Sequence, residues 1–188
     1  MNYEEKCIVL DAFGVDHGMV FSPYSTAVTL AALNTSTVTG FESAAAHVGG
    51  FLAAAVTGQQ AIYVSVETVA AMPLGQIKAI LLHEQGHISR GHLTAMQAGG
   101  ESGISSSLER ELEADEWAMA HGANPKDLEA GLKVCVKATR DWIAGHAEEY
   151  RALTGTGWKG ALRRWLGKAN SAHQISTRIK KMRAFAAA

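Results

Sequence analysis

Cysteine is scarce in this chain of 188 residues: there are two, Cys7 and Cys135, far apart in sequence. That excludes a disulfide framework and points to a reducing compartment or to indifference to redox. Both read as small buried apolar side chains. Net charge is lacking too, at −1, so nothing in the balance calls for nucleic acid as a partner. The first residues, Met1-Asn2-Tyr3-Glu4-Glu5-Lys6, are polar and acidic, unlike a signal peptide. No apolar run is long enough to span a bilayer. The longest, Ala44 to Val56, is interrupted by His47 and Gly49-Gly50 and reads as a buried helix. The expectation is a soluble, cytoplasmic protein with no transmembrane segment.

Repeats and low-complexity linkers are also missing. The apolar fraction of 47% and charged fraction of 19% suit one globular domain spanning 1–188. Acidic residues are absent from one stretch. From Trp158 onward there are eight basic residues, among them Lys159, Arg163, Arg178 and Arg183, and no Asp or Glu. Such a stretch is ordinarily a solvated helical face, and it also offers a docking surface for an acidic partner.

The elements are read from periodicity. Residues 1–58 are the hardest part, with Cys7–Leu10 a short strand, Tyr24–Leu33 strand or helix, and Glu42–Val56 a helix closed by Thr57-Gly58. Gln60 to Val66 is β-branched and aromatic, which predicts a strand. A helix follows from near Pro73 to about Gln97, with Ile77, Ile80, Leu81 and Ile88 as its apolar stripe. Serines 105–107 offer caps for a helix from Leu108 to about His121, stopped by Gly122. Asn124-Pro125 opens a further helix running to about Leu153, and two shorter basic helices finish the chain. The expected class is α+β: a mostly helical domain with a small sheet, a catalytic core over 59–122 and a helical part over 123–188.

What is present at the centre of that core is His83-Glu84-Gln85-Gly86-His87, an H-E-x-x-H sequence inside a predicted helix. Positions i and i+4 share a helix face, about 6 Å apart along the axis, so two imidazoles can grip one tetrahedral zinc ion. Glu84 then stands beside the open coordination position as a base for water. With eight histidines in the chain, chance gives such a pentapeptide in roughly 2% of shuffles, so a third ligand has to decide.

The extended pattern H-E-x-x-H-x-x-G-x-x-H is excluded, because its glycine and last histidine positions hold Arg90 and Leu93. His92, nine residues from His83, points to nearly the opposite side of a continuous helix and reads as structural. The following helix carries Glu111-Leu112-Glu113-Ala114-Asp115. Glu111 and Asp115 share a face, so one can bind metal while the other holds the outer nitrogen of a metal histidine. Glu113 projects elsewhere and reads as solvated, though it is the rival ligand.

His-Glu-Gln-Gly-His, the later Glu-Leu-Glu-Ala-Asp-Glu-Trp-Ala and the preceding Ile62-Tyr63-Val64-Ser65 together resemble the HtpX/BepA/CAAX-prenyl-protease family of gluzincin metallopeptidases. The resemblance covers about Gln59 to Met119 well and the C-terminal part weakly. His92 fits the last histidine of that family's H-E-x-x-H-x-x-x-x-H motif. The resemblance implies Glu111 as third ligand and Asp115 as its partner residue. It also puts His173 over the metal, as transition-state stabiliser or gate. Here His173-Gln174 lacks the family's following proline, and its spacing to Arg178-Ile179 is one residue short. The family's transmembrane helices are absent, so membrane substrates are not implied.

The expected function is a zinc endopeptidase with one Zn2+ per chain held by His83, His87 and Glu111. Glu84 is the general base, His173 a further catalytic candidate, and a peptide or protein the substrate. The edge of the Gln60–Val66 strand could hold that peptide by strand addition. The alternative is a zinc-binding module of the same build without turnover.

Overall fold

The apolar stripe Ile77, Ile80 and Leu81 is fully or almost fully buried in the computed structural model. The structure describes residue 6 and residues 51–56, 59–64, 66–92, 104–154 and 157–187. The expectations for Cys7–Leu10 and Tyr24–Leu33 lie outside these residues. In chain order the elements are β1 (Phe51–Val56), β2 (Gln59–Val64), α1 (Val66–Ala71), α2 (Leu74–Ser89), α3 (Ile104–Ala120), α4 (Pro125–Gly145), α5 (Ala147–Thr154) and α6 (Gly157–Ala186).

The α+β class is overturned. Outside one antiparallel two-stranded hairpin, with Phe51 opposite Val64 and Val56 opposite Gln59, the described residues are helical. The core confirms this, since helix packs on helix. Ile77, Ile80 and Leu81 of α2 share one core with Ala118 of α3, Leu128 and Leu132 of α4 and Met182 of α6, and Ile62 of β2 joins it. Each fully buried Ile or Leu contributes roughly 1.5–3 kcal/mol, so the α2 stripe is the main apolar anchor.

Several boundaries differ from the sequence expectation, each for a local reason. Phe51–Val56 is a strand, not the end of a helix. A short apolar run of this kind has no periodicity to separate the two states, and its pairing with β2 decides. Helix α2 stops at Ser89 because Gly91 adopts φ +70, and the Gly91 N–H bonds back to the Ile88 carbonyl. Residues Pro125–Leu153 form two helices, since His146 leaves the helical region between α4 and α5. The basic C-terminal stretch is one helix of 30 residues. Asn124 caps α4 as expected, accepting from the Lys126 N–H at 2.9 Å.

Two glycines set how closely the helices approach. A Cβ on Gly86 would stand 3.0 Å from the Ala114 Cα and carbonyl oxygen, so α2 and α3 meet backbone to backbone there. A Cβ on Gly131 would stand 2.8 Å from Ile80 Cγ1, which fixes α4 against α2. Among the described residues, no helix is long and apolar enough to cross a membrane.

Candidate metal centre

His83 and His87 lie one helical turn apart on α2, and the turn brings their Nε2 atoms to 3.1 Å. The close contact at Gly86, between them, lets α3 bring Glu111 against both. One Glu111 carboxylate oxygen is 3.4 Å from His83 Nε2 and the other 3.4 Å from His87 Nε2. The three side chains offer donor atoms that all lie within 4.8 Å of one another, so the group could hold a metal ion.

The outer nitrogens are also engaged. His83 Nδ1 lies 2.8 Å from Asp115 Oδ1, one turn beyond Glu111 on α3. On the other side, His87 Nδ1 is 2.9 Å from His92 Nδ1, and His92 Nε2 is 2.9 Å from Glu113 Oε2. His92 is thus buried beside the cluster, contrary to its expected place on the far side of α2. The wheel argument assumed a helix continuing to Gln97, and the turn at Gly91 folds His92 back onto His87 instead. Glu113 is exposed as expected, but it is tied to the cluster through His92.

Sequence reasoning named Arg178 only within the Arg178-Ile179 pair and gave it no role, yet it closes the site. Arg178 of α6 is buried, donates from Nε and Nη2 to the two Asp115 oxygens at 2.7 and 2.8 Å, and donates from Nη1 to Glu111 Oε2 at 2.6 Å. A signal was available. Ile175, Ile179 and Met182 form the inward stripe of α6, and an arginine at the matching position 178 must find buried carboxylates.

Arg178 supplies the positive charge that the two buried carboxylates need. Burial would raise the Glu111 carboxyl, yet Arg178 and the two imidazoles hold it well below the usual range. Asp115 is lowered likewise, against burial, by Arg178 and His83. Burial and Arg178 oppose protonation of His83, and Asp115 with Glu111 outweigh them, lifting the imidazole to about 10. The ionised carboxylates thus balance Arg178 and the His83 ring within one buried network.

Glu84 is buried on α2, and its charge bears on Arg178 and on the Cys135 thiol of α4. Burial first and Glu84 second push that thiol up to about 12, which keeps it the inert apolar group the sequence implied. His173 is exposed on α6, and none of the described contacts joins it to the cluster. Residue 173 lies within the long helix α6. Comparison of the chain with protein-family models, with curated proteins and with solved structures gives no match.

Proposed function

We propose that the chain is a zinc-dependent endopeptidase, with His83, His87 and Glu111 as ligands and Glu84 as general base. The observation that carries this reading is the spacing of the donors. With bond lengths of about 2.0–2.1 Å, a tetrahedral zinc ion holds its donors roughly 3.3–3.4 Å apart. The two imidazole Nε2 atoms are 3.1 Å apart, and each has a different Glu111 oxygen at 3.4 Å. With one donor atom from each side chain all three lie within 4.8 Å, a spacing that a small closure onto the ion brings to that range. Two imidazoles and one carboxylate are also the donor types of a catalytic zinc site that keeps a position open.

Zinc, when bound, supplies Lewis acidity that polarises a peptide carbonyl and makes water a nucleophile near neutral pH. The chain's own residues do the rest. Glu84 takes a proton from the attacking water and returns it to the amide nitrogen as the C–N bond breaks. Asp115 fixes the His83 ring through Nδ1, and Arg178 holds Asp115 and Glu111 in register.

One observation favours a second reading, a metal-binding module without turnover: Glu84 is buried and its charge bears on Arg178. One pair of measurements separates the two. Purified protein is expected to carry about one zinc per chain and to cut a peptide library, and Glu84→Gln to keep the zinc while losing cleavage. Zinc without cleavage in the wild type selects the module. Loss of zinc from Glu113→Ala but not from Glu111→Ala would overturn the ligand set.

A further inference from the structure

His83 and His87 differ in what stands behind them. The outer nitrogen of His83 meets a carboxylate directly, at Asp115. The outer nitrogen of His87 meets another imidazole, His92, and only that ring reaches a carboxylate, Glu113. We infer that His92 and Glu113 form a positioning relay that fixes the tautomer and ring orientation of His87, presenting its Nε2 lone pair to a bound cation. The inference rests on the metal-site reading above and adds two residues to it.

Proton counting carries the inference. Each neutral imidazole has one N–H donor and one lone-pair acceptor. For His87 to offer Nε2 as a ligand, its proton must sit on Nδ1. That N–H then donates across the 2.9 Å contact to His92 Nδ1, which has to be the acceptor. The His92 proton is thereby placed on Nε2, where it donates across the second 2.9 Å contact to Glu113 Oε2. Among neutral rings, this pattern alone satisfies both short contacts against an ionised Glu113. In the reverse pattern His92 Nε2 would turn a lone pair toward a carboxylate oxygen, and His87 Nε2 would carry a hydrogen toward the cluster. The solvent-facing carboxylate therefore sets, two rings away, which nitrogen of His87 is free.

Burial makes the relay obligatory for His92. The ring is 5% exposed, so both nitrogens need partners within the protein. The local fold supplies them for identifiable reasons. Gly91, at φ +70, turns the chain after α2 so that His92 lies against His87, and the rings meet edge-on with centroids 5.1 Å apart. Glu113 stands two residues from Glu111 on α3, on a face that could not reach either metal histidine unaided. His92 bridges that gap. Helix α3 thus contributes three carboxylates with separate tasks: Glu111 toward the metal, Asp115 behind His83 and Glu113 behind His92.

The test uses the full chain and two readouts. Ring 15N shifts of the metal-free protein are expected to show His92 as the Nε2–H tautomer, and an Nδ1–H tautomer overturns the relay. Zinc affinity, measured by chelator competition, is expected to fall about 10–100-fold in His92→Phe. It should fall less in Glu113→Ala, whose exposed position leaves folding intact. His92→Gln, with an amide oxygen able to accept from His87 Nδ1, is expected to recover part of the loss. Affinities within about two-fold of wild type in both His92→Phe and Glu113→Ala overturn the relay even if zinc binds. A wild type that binds no zinc overturns the metal site instead, and the His92 tautomer then decides the relay alone.

Discussion

Arg178 and Arg183 lie five residues apart on α6, and each grips carboxylates with almost the same geometry. Arg178 holds Asp115 and Glu111 at 2.6 to 2.8 Å, and Arg183 holds Glu129 of α4 at 2.6 and 2.9 Å. Their surroundings differ completely. The Arg178 side chain is 9% exposed and the Arg183 side chain 66%. An exposed pair gains little over hydration and is screened by salt, typically netting about 0–1 kcal/mol. Breaking a buried pair strands an uncompensated charge and costs roughly 3–5 kcal/mol. Equal distances, then, carry very unequal consequences, and burial is what separates them.

That contrast can be broken at several places. The largest effect is expected for Arg178→Ala, which leaves Asp115 and Glu111 buried without their cation. Urea unfolding of the metal-free protein should show a loss of about 3–5 kcal/mol. A loss under about 1 kcal/mol would place Arg178 with the surface pairs. Next is Gly86→Ala. The new methyl meets the Ala114 backbone, which cannot swing aside as a side chain can, so α2 and α3 must part. A cost of roughly 1–3 kcal/mol is expected, with weakened zinc binding because the histidines and Glu111 separate along with the helices. Unchanged stability and affinity would mean the helix contact is soft.

Arg183→Ala is expected to leave the urea midpoint almost unchanged near neutral pH, and to change it still less in high salt. Its signature should instead be a pH dependence. Hydrogen bonds from Arg183 and Lys133 hold the Glu129 carboxyl down to about 2. A depressed carboxyl stabilises the fold above its unfolded value of about 4.5 and loses that contribution as pH falls toward about 2. Unfolding curves of wild type and Arg183→Ala should therefore converge across that acid window. Curves that stay parallel would detach Glu129 from Arg183. The smallest effect belongs to His173→Ala. An exposed side chain without a described contact to the cluster should change stability by less than about 0.5 kcal/mol and leave zinc affinity alone. A large fall in peptidase turnover would return His173 to the site.

The same two surroundings explain what the sequence could disclose. The pairing of His83 with His87 was legible because their relation is local, one turn of a helix whose apolar stripe announces it. Glu111 and Asp115 were legible for the same reason on the next helix. His92 was misplaced because a single left-handed glycine decides its position, and the helical wheel has no place for a turn. Arg90-Gly91 was the available signal, since glycine just past a helix is its usual stop. Phe51–Val56 was misread because strand and buried helix look alike in six apolar residues, and only the partner strand distinguishes them. Among the described residues, the small sheet inferred from such runs proved to be one hairpin beside a set of helices. Arg178 was hidden by distance along the chain, although its place in the stripe of Ile175, Ile179 and Met182 marked it as inward.

That distance has a consequence for how the protein is made. Arg178 follows Asp115 by 63 residues and His83 by 95. A ribosome working at about 5–20 residues per second therefore exposes His83 and Asp115 several seconds before their balancing cation leaves the tunnel. Until then α2 and α3 can associate only with Asp115 and Glu111 uncompensated by arginine. The buried network of Arg178, Asp115 and Glu111 is thus completed only once α6 has emerged.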